Sequence, residues 1–359
     1  MKYMIEMIQG YINYFIRKPT ALPRAISGIF DRVILKKPHL RVAEVATTFL
    51  CNSKCVMCSC SEYCNTEKEK QRMSPEEYKK LAAELDEIGC VSVNITGGEA
   101  LVRKDIDAVI KAFNPSNKIV NLITNGILLD KEKIKYYASI GIDSIVVSLE
   151  STNAEENDHI RGHEGHFAKV MDIINWTAEF KVKLGLSLTI GDFNFDKVYE
   201  MLDFCKKRKV FLCLAHGGSI GKWSENKSIF LAEKNAEKLL KLIKQHKEMK
   251  IDFSANLGLK PGCPAILEKI YVTPYGDILP CTFIPLSFGN LRKEPFKVIW
   301  DRMIKFHKEN VTCRTYCLRS YNKDFITKFL EPVKSLPQPV CIKDHPYFKE
   351  TGKKNVKSE

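Results

Sequence analysis

Three cysteines spaced Cys51-x3-Cys55-x2-Cys58 directly follow an apolar run, Val42 to Leu50. A [4Fe–4S] cubane takes one thiolate per iron, so three thiolates on one short loop leave one iron without a protein ligand. An open coordination position is where a metal site does chemistry rather than architecture. The same residues also suit a zinc loop, because Cys60 and Cys64 follow closely and zinc takes four Cys or His donors.

Other groups with chemical potential recur at the ends of strand-like runs. Thr96-Gly97-Gly98-Glu99 follows the run 91–96. Its glycines let backbone approach a ligand closely, and the carboxylate can receive an ammonium group. Alone, such a sequence is only a turn. Thr124-Asn125-Gly126 and Ser148-Leu149-Glu150 close the next two runs; Asn125 equally suits a left-handed turn. Arg161, in His159-Ile160-Arg161-Gly162, carries a planar fork that binds a carboxylate in bidentate fashion, unless it is a solvated loop arginine. Thr189 and His216-Gly217-Gly218 end two further runs. Near the C-terminus stand Cys263, Gly276 and Cys281, then Cys313-x3-Cys317 and Cys341, a second candidate metal set. Cys90, Cys205 and Cys213 fall on helix or strand positions and read as core thiols.

With these motifs together, the chain resembles the radical S-adenosylmethionine (radical SAM) enzymes, whose signature is the CxxxCxxC loop. The resemblance implies that S-adenosylmethionine chelates the open iron and that reductive cleavage yields a 5′-deoxyadenosyl radical, which abstracts hydrogen from substrate. It assigns the region of Gly97, Gly98 and Glu99 to the methionine amino group, Arg161 to its carboxylate, and Asn125, Ser148 and Glu150 to carboxylate and ribose. Thr189 and His216 fall to the ribose and adenine side. One departure is Met57, where an aromatic residue often precedes the last cysteine. The segment from Tyr271 to Cys281 resembles the SPASM and twitch domains that hold auxiliary clusters. A full SPASM domain has seven cysteines and two clusters, whereas this chain offers five after residue 262. A single twitch-type [4Fe–4S] cluster on Cys263, Cys281, Cys313 and Cys317 is therefore expected, with Cys341 competing for one position. A zinc site on the same thiols is the alternative.

The elements that must position these groups alternate. Strands read as 43–49, 91–96, 118–123, 143–149, 183–190 and 210–216, with helices at 75–88, 103–112, 131–140, 166–180 and 195–208 and one more at 230–247. Ser74-Pro75, with Glu76 and Glu77 in the first turn, is a helix start. Nearly continuous apolar strands covered by helices make an α/β fold with a parallel sheet. The count fits the family's partial (β/α)6 TIM-like barrel, with sites at the C-terminal strand ends and a small cysteine-rich α+β domain behind it. The expected division is an amphipathic extension over 1–40, the barrel over 41–255, the auxiliary domain over 256–345 and a basic tail over 346–359.

Thirteen cysteines among 359 residues, without a signal-peptide pattern, point to metal binding in a reducing cytoplasm. The net charge of +13 comes without a basic block interleaved with aromatics. Nucleic acid is thus not the expected partner; an acidic electron donor such as flavodoxin or ferredoxin is. Residues 1–38 read as two amphipathic helices with basic flanks, the first carrying a polar stripe of Lys2, Glu6, Gln9, Asn13 and Arg17. They either cover the barrel or lie on an anionic membrane surface, which would place the protein peripherally at the inner membrane. The expected substrate is a peptide or protein side chain. The alternatives are a small molecule, sugar or lipid precursor, and a non-catalytic iron–sulfur or zinc protein.

Overall fold

A computed structural model describes residues 16–63, 66–218, 220–223, 229–251, 262–311 and 317–350. The expectations for residues 1–15, Cys64 and Cys313 lie outside these. Six parallel strands run in sequence order across the sheet, β1 (Val42–Ala46), β2 (Ser92–Thr96), β3 (Ile119–Thr124), β4 (Ser144–Ser148), β5 (Lys183–Ile190) and β6 (Phe211–His216). Their crossover helices are α2 (Pro75–Glu87), α3 (Ile106–Ala112), α4 (Lys131–Ser139), α6 (His166–Glu179) and α7 (Lys197–Arg208), α1 being Leu22–Ile29 and α5 Ala154–Arg161. The result is the parallel half-barrel expected for a partial (β/α)6 fold.

Local chemistry explains several boundaries. α2 starts at a reciprocal capping box: the Glu77 N–H donates to Ser74 Oγ at 3.3 Å, and the Ser74 N–H donates to Glu77 Oε2 at 2.8 Å. On β2 and β3 one face buries Val93, Ile95, Val120 and Leu122, and the other carries Asn94 and Asn121. Asn121 Nδ2 thus donates to Asn94 Oδ1 at 2.9 Å, and Ser144 Oγ donates to Asn121 Oδ1 at 2.7 Å.

Several features differ from the sequence reading. A seventh strand, β7 (Met249–Ile251), extends the sheet beyond β6, after helix α8 (Glu233–Gln245). β8 (Lys269–Val272) pairs in parallel with β1, from Val42 opposite Lys269 to Val45 opposite Val272, and β9 (Ile278–Leu279) turns back antiparallel on β8. The hairpin expected around Gly276 is therefore built onto the barrel sheet itself. Beyond it, α9 (Phe296–Asn310) buries Phe296, Ile299, Trp300, Met303 and Phe306, where the cysteine-spaced texture had suggested only short strands and turns. A two-stranded parallel pair follows, β10 (Leu286–Ser287) with β11 (Val340–Cys341). Residues 346–350, the start of the expected tail, form a further helical turn whose Phe348 is buried near Phe306 and Phe329.

Glu268, 1% exposed, joins three parts of the chain. Its carboxylate accepts from Arg32 Nε at 2.9 Å and Arg41 Nη1 at 3.0 Å, just before β8. No helix among the described residues is long and apolar enough to cross a membrane.

Candidate active site

β1 ends at Ala46, and the chain passes through Thr47–Leu50 into the cysteine loop. Several buried groups pin this approach. Glu69 accepts from Thr48 Oγ1 at 2.6 Å, from the Phe49 N–H at 3.0 Å and from Tyr275 Oη at 3.2 Å. Arg103 donates to the Thr47 carbonyl at 3.1 Å and the Met73 carbonyl at 2.7 Å. The Gly98 N–H donates to the Thr48 carbonyl at 2.8 Å and the Glu99 N–H to the Leu50 carbonyl at 2.9 Å. This close approach is why Gly98 has no side chain. A Cβ there would lie 2.5 Å from the carbonyl oxygens of Phe49 and Leu50. Gly98→Ala is expected to cost about 1–3 kcal/mol through overpacking and to lower iron at the Cys51–Cys58 loop. Thermal melting and iron per chain check this; wild-type iron content would show that the two backbones can separate freely.

The loop is clamped from two further sides. The C-terminus of α5 holds one: the Val56 N–H donates to the Ile160 carbonyl at 3.0 Å, Ser53 Oγ donates to the Arg161 carbonyl at 2.5 Å, and Gly162, at φ +60°, leaves room for the Lys54 carbonyl. The turn Gly221–Trp223 holds the other. There Lys222 donates from its main chain to the Cys58 carbonyl at 3.1 Å and from Nζ to the Cys55 carbonyl at 2.9 Å. Ser53 Oγ also lies 3.3 Å from Cys55 Sγ, and Asn125 Nδ2 lies 3.8 Å from Cys51 Sγ. Desolvation pushes the Cys51 thiol up to about 11 and the Cys58 thiol up as well. Metal loading on such thiols must displace protons.

The sequence-selected residues gather around this loop at the C-terminal strand ends. Glu99, 1% exposed, accepts from the Leu101 N–H at 3.0 Å, Thr124 Oγ1 at 2.7 Å and the Asn125 N–H at 2.6 Å. Burial pushes its carboxyl up against these three stabilising bonds. Asn125 Nδ2 donates to Asn52 Oδ1 at 2.8 Å, tying the end of β3 to the cysteine loop. Behind it, fully buried His166 is held neutral by burial, its pKa lowered to about 4. Its Nδ1 takes a hydrogen bond from Asn157 at 2.9 Å, so its Nε2–H donates to the Asn125 carbonyl at 2.8 Å.

Arg161 is the last residue of α5, not a loop residue, and is 8% exposed. Its Nη1 donates to Glu150 Oε1 at 3.3 Å, while the other Glu150 oxygen accepts from the Thr189 N–H at 2.9 Å. Arg161 Nε is buried without a partner among the described residues. An unpaired guanidinium donor at this depth fits an anionic group of a bound ligand. Ser148 ends β4, and His216, 6% exposed, ends β6.

The second cysteine set lies at the opposite end of β1. Cys263 is pushed up to about 12 by burial and then by neighbouring Cys317. Cys281 is raised by burial, then by Cys263 and Cys317. Cys317 thus bears on both Cys263 and Cys281, and nearby Lys269, which pairs with Glu44 at 2.7 Å, offsets part of the effect. Cys341 sits on β11 opposite Ser287. Among the described residues, no three His, Cys, Asp or Glu side chains converge as a site for one metal ion.

Glu69, Ser53, Lys222, Arg103 and His166 were not selected from sequence. Ser53 lies within the cysteine loop itself, the other four reach the site from elements outside it, and none carries a local motif.

Residues 45–205 match the Radical SAM superfamily, and residues 263–319 match an iron–sulfur cluster-binding domain, SPASM. The GTP 3′,8-cyclase of Aquifex aeolicus is 30% identical over 276 residues, covering 69% of this chain and 83% of that one. The chain belongs to the radical SAM superfamily. It is an enzyme of radical chemistry, with a [4Fe–4S] cluster that binds S-adenosylmethionine and an iron–sulfur-binding C-terminal region. The PqqA peptide cyclase of Rhizobium meliloti is 26% identical over 306 residues, covering 79% of this radical SAM chain and 78% of the relative. SuiB of Streptococcus suis, solved with S-adenosylmethionine, superposes with a TM-score of 0.55 at 19% identity. That alignment covers 68% of this chain and 60% of SuiB, so the chain spans about three fifths of SuiB's length, and the likeness is one of fold.

Proposed function

We propose that this radical SAM enzyme modifies a peptide or protein side chain by oxidative radical chemistry. The observation that carries the reading is the pairing of a cysteine loop at the C-terminal strand ends with a separate cysteine group beside β8. Similarity to a protein named PqqA peptide cyclase supports the peptide as substrate. Similarity to a GTP 3′,8-cyclase favours the second reading, a small molecule.

When bound and reduced, the cluster supplies the electron that cleaves S-adenosylmethionine to a hydrogen-abstracting 5′-deoxyadenosyl radical. Cys51, Cys55 and Cys58 hold it in this proposal, on a loop locked by Glu69, Lys222 and the end of α5. The Gly97–Gly98–Glu99 segment faces the methionine amino group, and the Glu99 carboxylate keeps Asn125 in place. Arg161, braced by Glu150, receives the methionine carboxylate. Asn125, Ser148 and Thr189 frame the ribose, and His216 lies toward the adenine. Cys263, Cys281 and Cys317, with Cys313 as fourth ligand or Cys341 in its place, hold one auxiliary [4Fe–4S] cluster of the twitch type. We assign the barrel to residues 41–255 and the auxiliary domain to 256–345. The enzyme draws electrons from an acidic carrier such as flavodoxin or ferredoxin in the cytoplasm, with peripheral membrane contact through its N-terminal segment.

The test is anaerobic incubation of reconstituted enzyme with S-adenosylmethionine, dithionite and either a synthetic peptide library or a panel of nucleotides and sugars. Peptides should raise 5′-deoxyadenosine formation several-fold above the substrate-free rate and leave a product changed in mass. Stimulation by nucleotides or sugars alone would move the assignment to the second reading. No cleavage under any condition would remove the catalytic reading.

A further inference from the structure

The N-terminal segment is amphipathic with its polarity reversed. In a helix packed on a protein core, apolar residues face inward and charges face water. Here the charges face inward. Lys18, 3% exposed, pairs with Asp143 and donates to the Lys118 carbonyl at 2.9 Å. Arg24 pairs with Asp86, and Arg32, 6% exposed, with Glu268. Asp31 pairs with His39 at 2.7 Å, and Gly28 packs against that imidazole.

The large apolar residues point out. Leu22, Ile26, Phe30 and Ile34 follow each other at steps of four and are 39, 56, 51 and 62% exposed, with Leu35 and Ile16 beside them at 42 and 74%. A helix row of this spacing forms one continuous stripe. Arg17 flanks the stripe at one end and Lys36 and Lys37 at the other, all exposed. Asp31 is the single acidic residue between positions 16 and 37, and it is taken by His39. The ion pairs on the inner side fix the segment to β4, α2 and the start of β8, so it cannot roll over to bury its stripe without breaking them.

We infer that this outward face is a docking surface for an anionic lipid bilayer. The inference rests on, and deepens, the peripheral contact proposed above, by naming the surface and its partner. The apolar stripe suits the acyl boundary, and cations at both ends, with the segment's one acid paired to His39, suit anionic headgroups. The segment is held parallel to the protein surface, so it presents the barrel to the membrane in one orientation rather than on a loose tether.

Full-length reconstituted protein would be sedimented with vesicles of phosphatidylcholine alone and mixed with phosphatidylglycerol, at low and high salt. The expected result is binding to the mixed vesicles that weakens with salt. Ile26→Glu with Phe30→Glu should lower that binding about tenfold or more, because both charges fall in the middle of the stripe. S-adenosylmethionine cleavage in solution should not change. Equal binding by variant and wild type would overturn the face while leaving membrane contact to residues 1–15. Absence of binding by the wild type would overturn both. A wild-type dimer in size-exclusion chromatography that the double variant abolishes, without vesicle binding, would reassign the face to self-association and overturn the lipid partner.

Discussion

Replacing Cys51, Cys55 and Cys58 together with alanine is expected to remove about half of the iron from anaerobically reconstituted enzyme and all cleavage of S-adenosylmethionine. The expectation rests on two separate cysteine groups at opposite ends of β1, each suited to a four-iron cluster. The clamps on the loop are main-chain contacts to Ile160, Arg161 and Gly221–Trp223 together with Ser53 and Lys222 side chains, so the variant loop keeps its anchors. The auxiliary group should therefore still load. Iron analysis and the electron paramagnetic resonance spectrum of the dithionite-reduced protein read the loss directly. Retained 5′-deoxyadenosine formation would sink the loop's assignment. Zinc instead of iron in the remaining half would restrict the cluster count to one.

Arg161→Ala carries the second large effect and acts on two properties that can be separated. The guanidinium and Glu150 are both buried, with side chains 10 and 5% exposed. Removing one partner strands a buried charge, which costs about 3–5 kcal/mol of stability. Replacing both, as Arg161→Met with Glu150→Gln, should restore most of the melting temperature because neither charge then needs a partner. Affinity for S-adenosylmethionine should not return. A lost charge-assisted contact of about 1.5–3 kcal/mol corresponds to roughly 10- to 150-fold in Kd. Isothermal titration with the double variant decides the matter. Wild-type affinity there would make Arg161 only a brace for Glu150.

Much of the barrel was legible because its signals are local. The strand Lys183–Ile190 has the limits read from its apolar run, and α2 begins at the Ser74-Pro75 cap. The cysteine loop and the strand-end motifs announced themselves by spacing. What escaped depends on long-range partners or on polar sequence. α5 reads AEENDHIR, with no apolar stripe to mark it, and so Arg161 looked like a loop residue. Glu69 and Lys222 act through contacts with main chain far along the sequence, and nothing beside them signals that role. α9 did carry a helical apolar period, but the flanking cysteines and turns masked it. The reversed polarity of residues 16–35 was invisible because an amphipathic pattern states that two faces differ, not which one meets the protein.

The pairing of β8 with β1 bears on how such enzymes can be recombined. Residues 269–272 occupy one edge of the first barrel strand, so ending the chain at the close of the barrel would leave that edge with unpaired N–H and C=O groups, a template for aggregation. The two cysteine groups are therefore not interchangeable cassettes joined by a linker. A transplanted C-terminal module would have to bring a strand that meets Val42–Val45 in the right register, and an acid at position 268 for Arg32 and Arg41. The outer edge of β1, rather than the linker, therefore sets the terms on which this C-terminal module can be exchanged.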